Sequence, residues 1–282
     1  MAQCTDVQEI EDVISRFPRG YTRLVVTTSG IVASPRIFTA LASIKDIGGW
    51  VQVSLDGFEE THNRMRGNHH SYSRAVEFIK TMVSMGVVVH VATCATSESI
   101  DELEALCKQV KDWGVRIYRI GVVSERGRAI TSGIGSPAEL RQRIIDTRRR
   151  LKLRYDSPSF TVAGFEDELP EEQRRIGNCG AGYRQFKISP DGKIHPCPMM
   201  NWPIGSIENS SLAEFIRGNN QRLAKIQSPS EKYCGTCPNL IFCRNCIAEA
   251  MQYRRTVEQC PWSKSQEVDA VLSQQVDYIA SA

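Results

Sequence analysis

Apolar positions along the first part of the chain switch between two periods. Val7, Ile10, Val13, Ile14 and Phe17 recur three and four apart, with Thr5 and Gln8 in capping-box register, which predicts a helix over 5–17. RLVVTT (23–28) is a continuous apolar-rich run and predicts a buried strand, ended by Ser29-Gly30. Ser34-Pro35 reads as an N-cap with proline at the first helical position, opening a helix to about Ile44. After Gly48-Gly49, WVQVSL (50–55) predicts the next strand. Ala75, Phe78, Ile79, Met82 and Val83 mark the inner side of a helix over 71–85 that Gly86 stops. VVVHVATC (87–94) is a third strand, and VRIYRIGVV (115–123) a fourth. Between them a helix over 99–113 carries Leu103, Leu106, Cys107 and Val110.

Strand and helix thus alternate about every 30 residues, the pattern of a parallel α/β sheet with crossover connections. The strands read as continuous apolar runs, as when both faces are covered. Ligands of such sheets gather where strands end. Polar residues stand at those points: Thr27, Thr28, Ser29 and Gly30; Ser54, Asp56 and Gly57; Ser97 and Glu98; Glu125, Arg126, Gly127 and Arg128.

The periodic pattern gives way to a cysteine-rich stretch. Seven of ten cysteines lie between 179 and 260, at 179, 197, 234, 237, 243, 246 and 260, the middle four as C-x2-C-x5-C-x2-C. Thiolates this dense repel one another unless a metal neutralises them, and a loop-rich segment with few apolar runs needs such a staple. A disulfide framework fits poorly, since the N-terminus carries no secretory signal and seven is odd. Structural zinc commonly uses two C-x2-C knuckles split by a longer loop. The five residues between Cys237 and Cys243 favour iron–sulfur ligation instead. Seven thiols divide as four plus three, one fully ligated [4Fe–4S] cluster and a second with an open or differently ligated iron.

Composition narrows the partners. The 282 residues are 41% apolar with net charge +3, enough for one large or two modest cores and too balanced for a nucleic-acid footprint. The basic run DTRRRLKLR (146–154) reads as a solvated helix face. No apolar stretch approaches the roughly 18 residues of a membrane span. Reduced thiols point to the cytoplasm. Expected boundaries are an α/β core over 1–135, a connecting helix and linker over 136–170, a metal domain over 171–268 and a tail over 269–282. Trp202 and Trp262 are expected to pack near the metal, and Tyr183, Arg184 and Gln185 to serve as loop residues.

The cysteine pattern, with Gly192 five residues before Cys197 and a final Cys-Pro pair, resembles the SPASM domain of radical S-adenosylmethionine (SAM) enzymes. The family has three residues between its last two clustered cysteines; here there are two, Arg244 and Asn245. The resemblance implies two auxiliary [4Fe–4S] clusters, one held by Cys179, Cys197 and Cys246, the other by Cys234, Cys237, Cys243 and Cys260. VSLDGFEETHNRMRG (53–67) resembles the family segment in which a strand-end Ser and Asp face SAM before an acidic helix start. TTSG (27–30) resembles its TNG-type strand end, and GRA (127–129) a turn of SPASM-bearing members. These imply an incomplete (β/α) barrel with Ser54, Asp56 and Thr28 on the SAM side, and an oxidoreductase that modifies a peptide or protein, fed by a reductase or other electron donor.

The family's C-x3-C-x2-C, which holds the SAM-cleaving cluster, and its GGEP-type segment do not occur in these residues. Cys4 stands alone, and Cys94 and Cys107 read as small hydrophobes. The resemblance covers about 20–265, as though roughly two strand–helix units preceded it. The chain is therefore read as the C-terminal part of a radical SAM/SPASM enzyme, unable alone to generate a radical. The alternative is a non-catalytic iron–sulfur electron-transfer or binding protein of that descent. No catalytic acid or base is assigned.

Overall fold

Each predicted strand is followed by a helix that folds back over it. The structure, a computed structural model, describes residues 7–16, 24–124, 137–164, 180–183, 185–200, 202–208, 223–243, 246–254, 260–264, 266 and 268. Cys4, Cys179, Arg184 and the GRA turn at 127–129 lie outside them. Two compact units divide the chain, Met1–Glu168 and Leu169–Ala282.

In the first unit the strands are β1 (Val25–Thr28), β2 (Trp50–Ser54), β3 (Val89–Ala95), β4 (Ile117–Val122) and β5 (Thr161–Ala163). They pair in that order, all parallel, with Val26 opposite Val51, Val51 opposite Val89 and Tyr118 opposite Val162. The helices are α1 (Val7–Arg16), α2 (Pro35–Ala42), α3 (Glu59–Arg66), α4 (Ser71–Ser84), α5 (Leu103–Asp112) and α6 (Ala138–Tyr155). Ser34 caps α2, its Oγ accepting from Ile37 N–H at 3.3 Å with Pro35 in the first turn. Gly49 lets the chain turn into β2, because a Cβ there would stand 2.6 Å from the Leu24 carbonyl oxygen. The core lies on the helix-covered side: Val51, Val53, Val89, Val91, Tyr118 and Ile120 meet Phe78, Ile79 and Met82 of α4, Leu106 and Val110 of α5, and Ile144 and Leu151 of α6. Each such side chain contributes about 1.5–3 kcal/mol on burial.

Two expectations need correction. The strands are not apolar on both faces: the face away from that core carries Gln52, His90 and Arg119, and Arg119 Nη1 donates to Gln52 Oε1 (2.7 Å) and His90 Nδ1 (2.9 Å). The basic run is not wholly solvated either. Arg148 is buried, donating to the Ile120 carbonyl at 3.1 Å, and Arg141 does the same for Val123 at 3.0 Å, so α6 is fastened to the end of β4. Its outer arginines pair instead with Glu104 and Asp101. The stretch expected to be a connector thus supplies the last helix and strand of the sheet.

The second unit is built from short pieces. β6 (Lys187–Ile188), β7 (Lys193–His195) and β8 (Gly205–Ser206) form an antiparallel sheet, followed by α7 (Glu231–Cys234), α8 (Leu240–Cys243) and α9 (Ile247–Tyr253). Its core gathers Met200, Trp202, Ile226, Ile247, Met251 and Trp262 with Cys197 and Cys243. No helix among the described residues is long and apolar enough to cross a membrane.

Candidate metal centre and strand-end cluster

The cysteine-rich motif is cut by two one-turn helices, and their ends aim its thiols. Cys234 closes α7 and Cys243 closes α8, while Cys237 sits in the turn between, its N–H bonded to the Cys234 carbonyl. These three, with Cys260 from 17 residues beyond Cys243, line one small, open-sided cavity. Its remaining wall includes Pro229, Leu240, Tyr253, Pro261 and Trp262. Trp262 is 2% exposed and donates through Nε1 to the Gln227 carbonyl at 2.6 Å, and Tyr253 stacks on Phe242 at 4.6 Å. The wall is therefore anchored and largely apolar, with Asn239 and Arg254 as its polar members beside the thiols.

Electrostatics carry the same message. Burial, then the neighbouring Cys260, Cys237, Glu249 and Cys234, push the Cys243 thiol up to about 12. Burial raises Cys234 as well, with Cys260 and Cys237 adding to it. A cation bound among the thiols would favour the thiolates that burial disfavours at Cys234 and Cys243. No three His, Cys, Asp or Glu among the described residues close about a single metal ion, although the four thiols share one cavity. That donor set fits a multi-atom iron–sulfur group, which takes four thiolates.

Cys246, though part of the same short motif, is not on this cavity's wall among the described residues. It caps α9, its Sγ accepting from Glu249 N–H at 3.5 Å. Cys197 is buried, just past β7. None of the eight described cysteines is disulfide-bonded. Cys107 is buried on α5 and its thiol pushed up to about 12 by burial, matching the small-hydrophobe reading; Cys94 instead is exposed at the end of β3.

At the strand ends of the first unit, Thr28 Oγ1 accepts from Gly30 N–H at 3.1 Å, and Ser54 is half-buried on the face away from the helices. Asp56 is 2% exposed, and both its oxygens are engaged: Oδ1 accepts from Cys94 N–H at 3.0 Å, and Oδ2 pairs with Arg66 at 2.5 Å. Gly57 has no room for a Cβ, with Glu102 Oε2 at 2.6 Å and Thr61 Cβ at 2.9 Å. That Glu102 carboxylate holds the start of α3, accepting from Phe58 N–H and Thr61 Oγ1, each at 2.6 Å.

His62, missed in the sequence because α3 has no apolar stripe, is fully buried behind this loop. Its Nδ1 accepts from Asp56 N–H at 3.0 Å, so the ring proton belongs on Nε2, which donates to Ser71 Oγ at 2.8 Å. Burial lowers its pKa to about 4, Asp56 opposing and Arg66 adding. An unfolded histidine protonates near 6.5, so the unfolded state binds the proton first as pH falls. Stability from His62 is full above about pH 6.5 and drains away towards pH 4, on the order of 3 kcal/mol in all. His90, lowered to about 3 by burial, Arg119 and Arg116, acts in the same direction. The urea midpoint of the first unit is expected to fall markedly between pH 7 and 4.5; a flat profile would contradict this placement.

A family model described as an iron–sulfur cluster-binding domain, SPASM, matches residues 179–239. Over those residues the chain is similar to that domain. It is 23% identical over 275 residues to the antilisterial bacteriocin subtilosin biosynthesis protein AlbA of Bacillus subtilis strain 168, covering 93% of this chain and 59% of AlbA. It is 24% identical over 218 residues to the sporulation killing factor maturation protein SkfB of the same strain, covering 74% of this chain and 52% of SkfB. The chain thus spans a little over half the length of these relatives. Its fold is that of Streptococcus suis SuiB, solved bound to the precursor peptide SuiA (TM-score 0.60, 15% identity, 86% of this chain and 58% of SuiB). It also matches anSMEcpe, solved with AdoMet and the Kp18Cys peptide (TM-score 0.60, 16% identity, 91% of this chain and 74% of anSMEcpe). The fold is therefore a parallel α/β unit and a cysteine-rich second unit, an architecture similar to that of SuiB and anSMEcpe.

Proposed function

We propose that this chain is the auxiliary-cluster portion, with part of the SAM-side sheet, of a radical SAM/SPASM oxidoreductase that modifies a peptide or protein. Cys234, Cys237, Cys243 and Cys260 would hold one [4Fe–4S] cluster, and Cys179, Cys197 and Cys246 would hold another. The observation that supports this most is the first set: Cys260 joins three members of the motif on one cavity while Cys246 stays off it. A chain that crosses between two clusters requires such a division.

When bound, the clusters supply one-electron redox capacity. The chain's own residues set the conditions. Trp262, Leu240 and the two prolines line the thiol cavity with apolar surface, which would lower the dielectric around whatever charge it holds. In the first unit Ser54 and Thr28 would stand at strand ends on the SAM side, and Asp56 with Arg66 and His62 fixes the loop that follows Ser54. The cluster that cleaves SAM needs a C-x3-C-x2-C segment, supplied from outside these 282 residues, as is the electron donor. The peptide-acting relatives support a peptide substrate, and a cytoplasmic setting suits reduced clusters.

Anaerobic reconstitution with iron and sulfide tests the reading. A brown protein with broad absorption near 400 nm and about eight irons per chain is expected, four for each cubane. A colourless product that takes zinc instead would overturn it.

A further inference from the structure

The β6–β7 hairpin holds a histidine with one nitrogen left over. His195, the last residue of β7, is 8% exposed, and its Nδ1 is buried without a hydrogen-bond partner. Its Nε2 lies 3.1 Å from Ser189 Oγ. Ser189 has one hydroxyl proton and three acceptors in reach, the Asp191 carboxylate, the Lys193 carbonyl at 3.1 Å and the His195 ring. The ionised carboxylate is the strongest of these and takes the proton, so the hydroxyl oxygen accepts from His195 Nε2–H. The Asp191 carboxyl, held well below the usual range first by Ser189 and then by Lys193, favours the carboxylate as the recipient. The turn is itself pinned, with Ser189 N–H on the Lys193 carbonyl at 2.9 Å and Lys193 Nζ on Asp191 at 3.0 Å.

This chain of donors places a lone pair, not a proton, on the buried Nδ1. Histidines that bind metal are oriented in this way, the far N–H tied down so that the near nitrogen is free to coordinate. Two residues on stands Cys197, and a two-residue separation keeps the Cα atoms within about 7 Å, so both side chains can reach one cluster. The cluster assigned to Cys179, Cys197 and Cys246 has three thiolates and lacks a fourth ligand.

We propose that His195 completes that cluster through Nδ1, an assignment that rests on the iron–sulfur reading above. A neutral imidazole in place of a thiolate leaves the cluster less negative and raises its reduction potential, as histidine ligation does elsewhere. His195 is the only one of the chain's five histidines beyond residue 90, so a bound imidazole signal has one source within the SPASM unit.

The test uses the reconstituted chain grown with 15N-histidine, reduced, and read by pulsed EPR beside its iron content. A strong nitrogen coupling that changes with the isotope and is lost in His195→Ala is expected. His195→Cys should retain the full iron content and shift the potential downward, since a thiolate returns the missing negative charge. Full iron content without nitrogen coupling in the unsubstituted chain overturns the histidine assignment and leaves the cluster reading intact. Failure to take up iron at all overturns both. Should His195→Ala not fold, the isotope comparison on the unsubstituted chain decides alone.

Discussion

Cys243→Ser is expected to strip about four of about eight irons from the reconstituted chain, because it breaks one cubane and leaves the other. Cys243 feels the other three cavity thiols and lies deepest among them. The loss should reach beyond iron counting. A small loop-rich unit draws folding free energy from its metal, about 10–16 kcal/mol where structural zinc has been measured, and the short helices α7 and α8 have only one turn each. Amides of residues 231–243 are expected to lose hydrogen-exchange protection while those of β2, β3 and β4 keep theirs. Cys107→Ser is the control. It should leave the iron unchanged and cost about 1–3 kcal/mol in the first unit, by placing a hydroxyl on the apolar face of α5. Equal iron in both variants would remove Cys243 from the ligand set.

What the sequence disclosed follows from which forces have a period. The alternation of β1 to β4 with α2, α4 and α5 was legible because burial on one helical face or in a strand leaves a rhythm. β5 was not, since three residues, Thr161–Ala163, are too few to show one. α3 was invisible to periodicity because the residues it buries are Thr61 and His62, held by hydrogen bonds and not by an apolar stripe. Arg148 looks like its charged neighbours in the run at 146–154 and differs only in facing the end of β4. Cysteine spacing gave the chemistry of the second unit, but spacing alone could not separate Cys246 from Cys260. That choice came from the resemblance, and the cavity now supports it. His195 gave no sequence signal beyond its nearness to Cys197, because the donors that fix its ring are set by the hairpin's geometry.

Asp56→Ala is expected to destabilise the first unit by about 3 kcal/mol, while Ser54→Ala changes it by no more than about 0.5 kcal/mol. Both residues were placed on the SAM side by resemblance, yet the structure gives them different work. Removing the Asp56 carboxylate strands the Arg66 guanidinium and the Cys94 N–H at once. Arg66 is 28% exposed and can turn partly to water, which holds the cost to the lower end of the range for a broken buried pair. Asp56→Asn should recover part of the loss, since an amide oxygen still accepts from Cys94 N–H but no longer balances the arginine. Ser54 stands on the open face of β2, where the loss of a hydroxyl leaves no buried group without a partner. Urea titrations with exchange protection at the Cys94 amide measure both. Similar losses from the two substitutions would mean that Asp56 is not what holds the loop, and that the face of β2 bearing Ser54 is itself part of the scaffold.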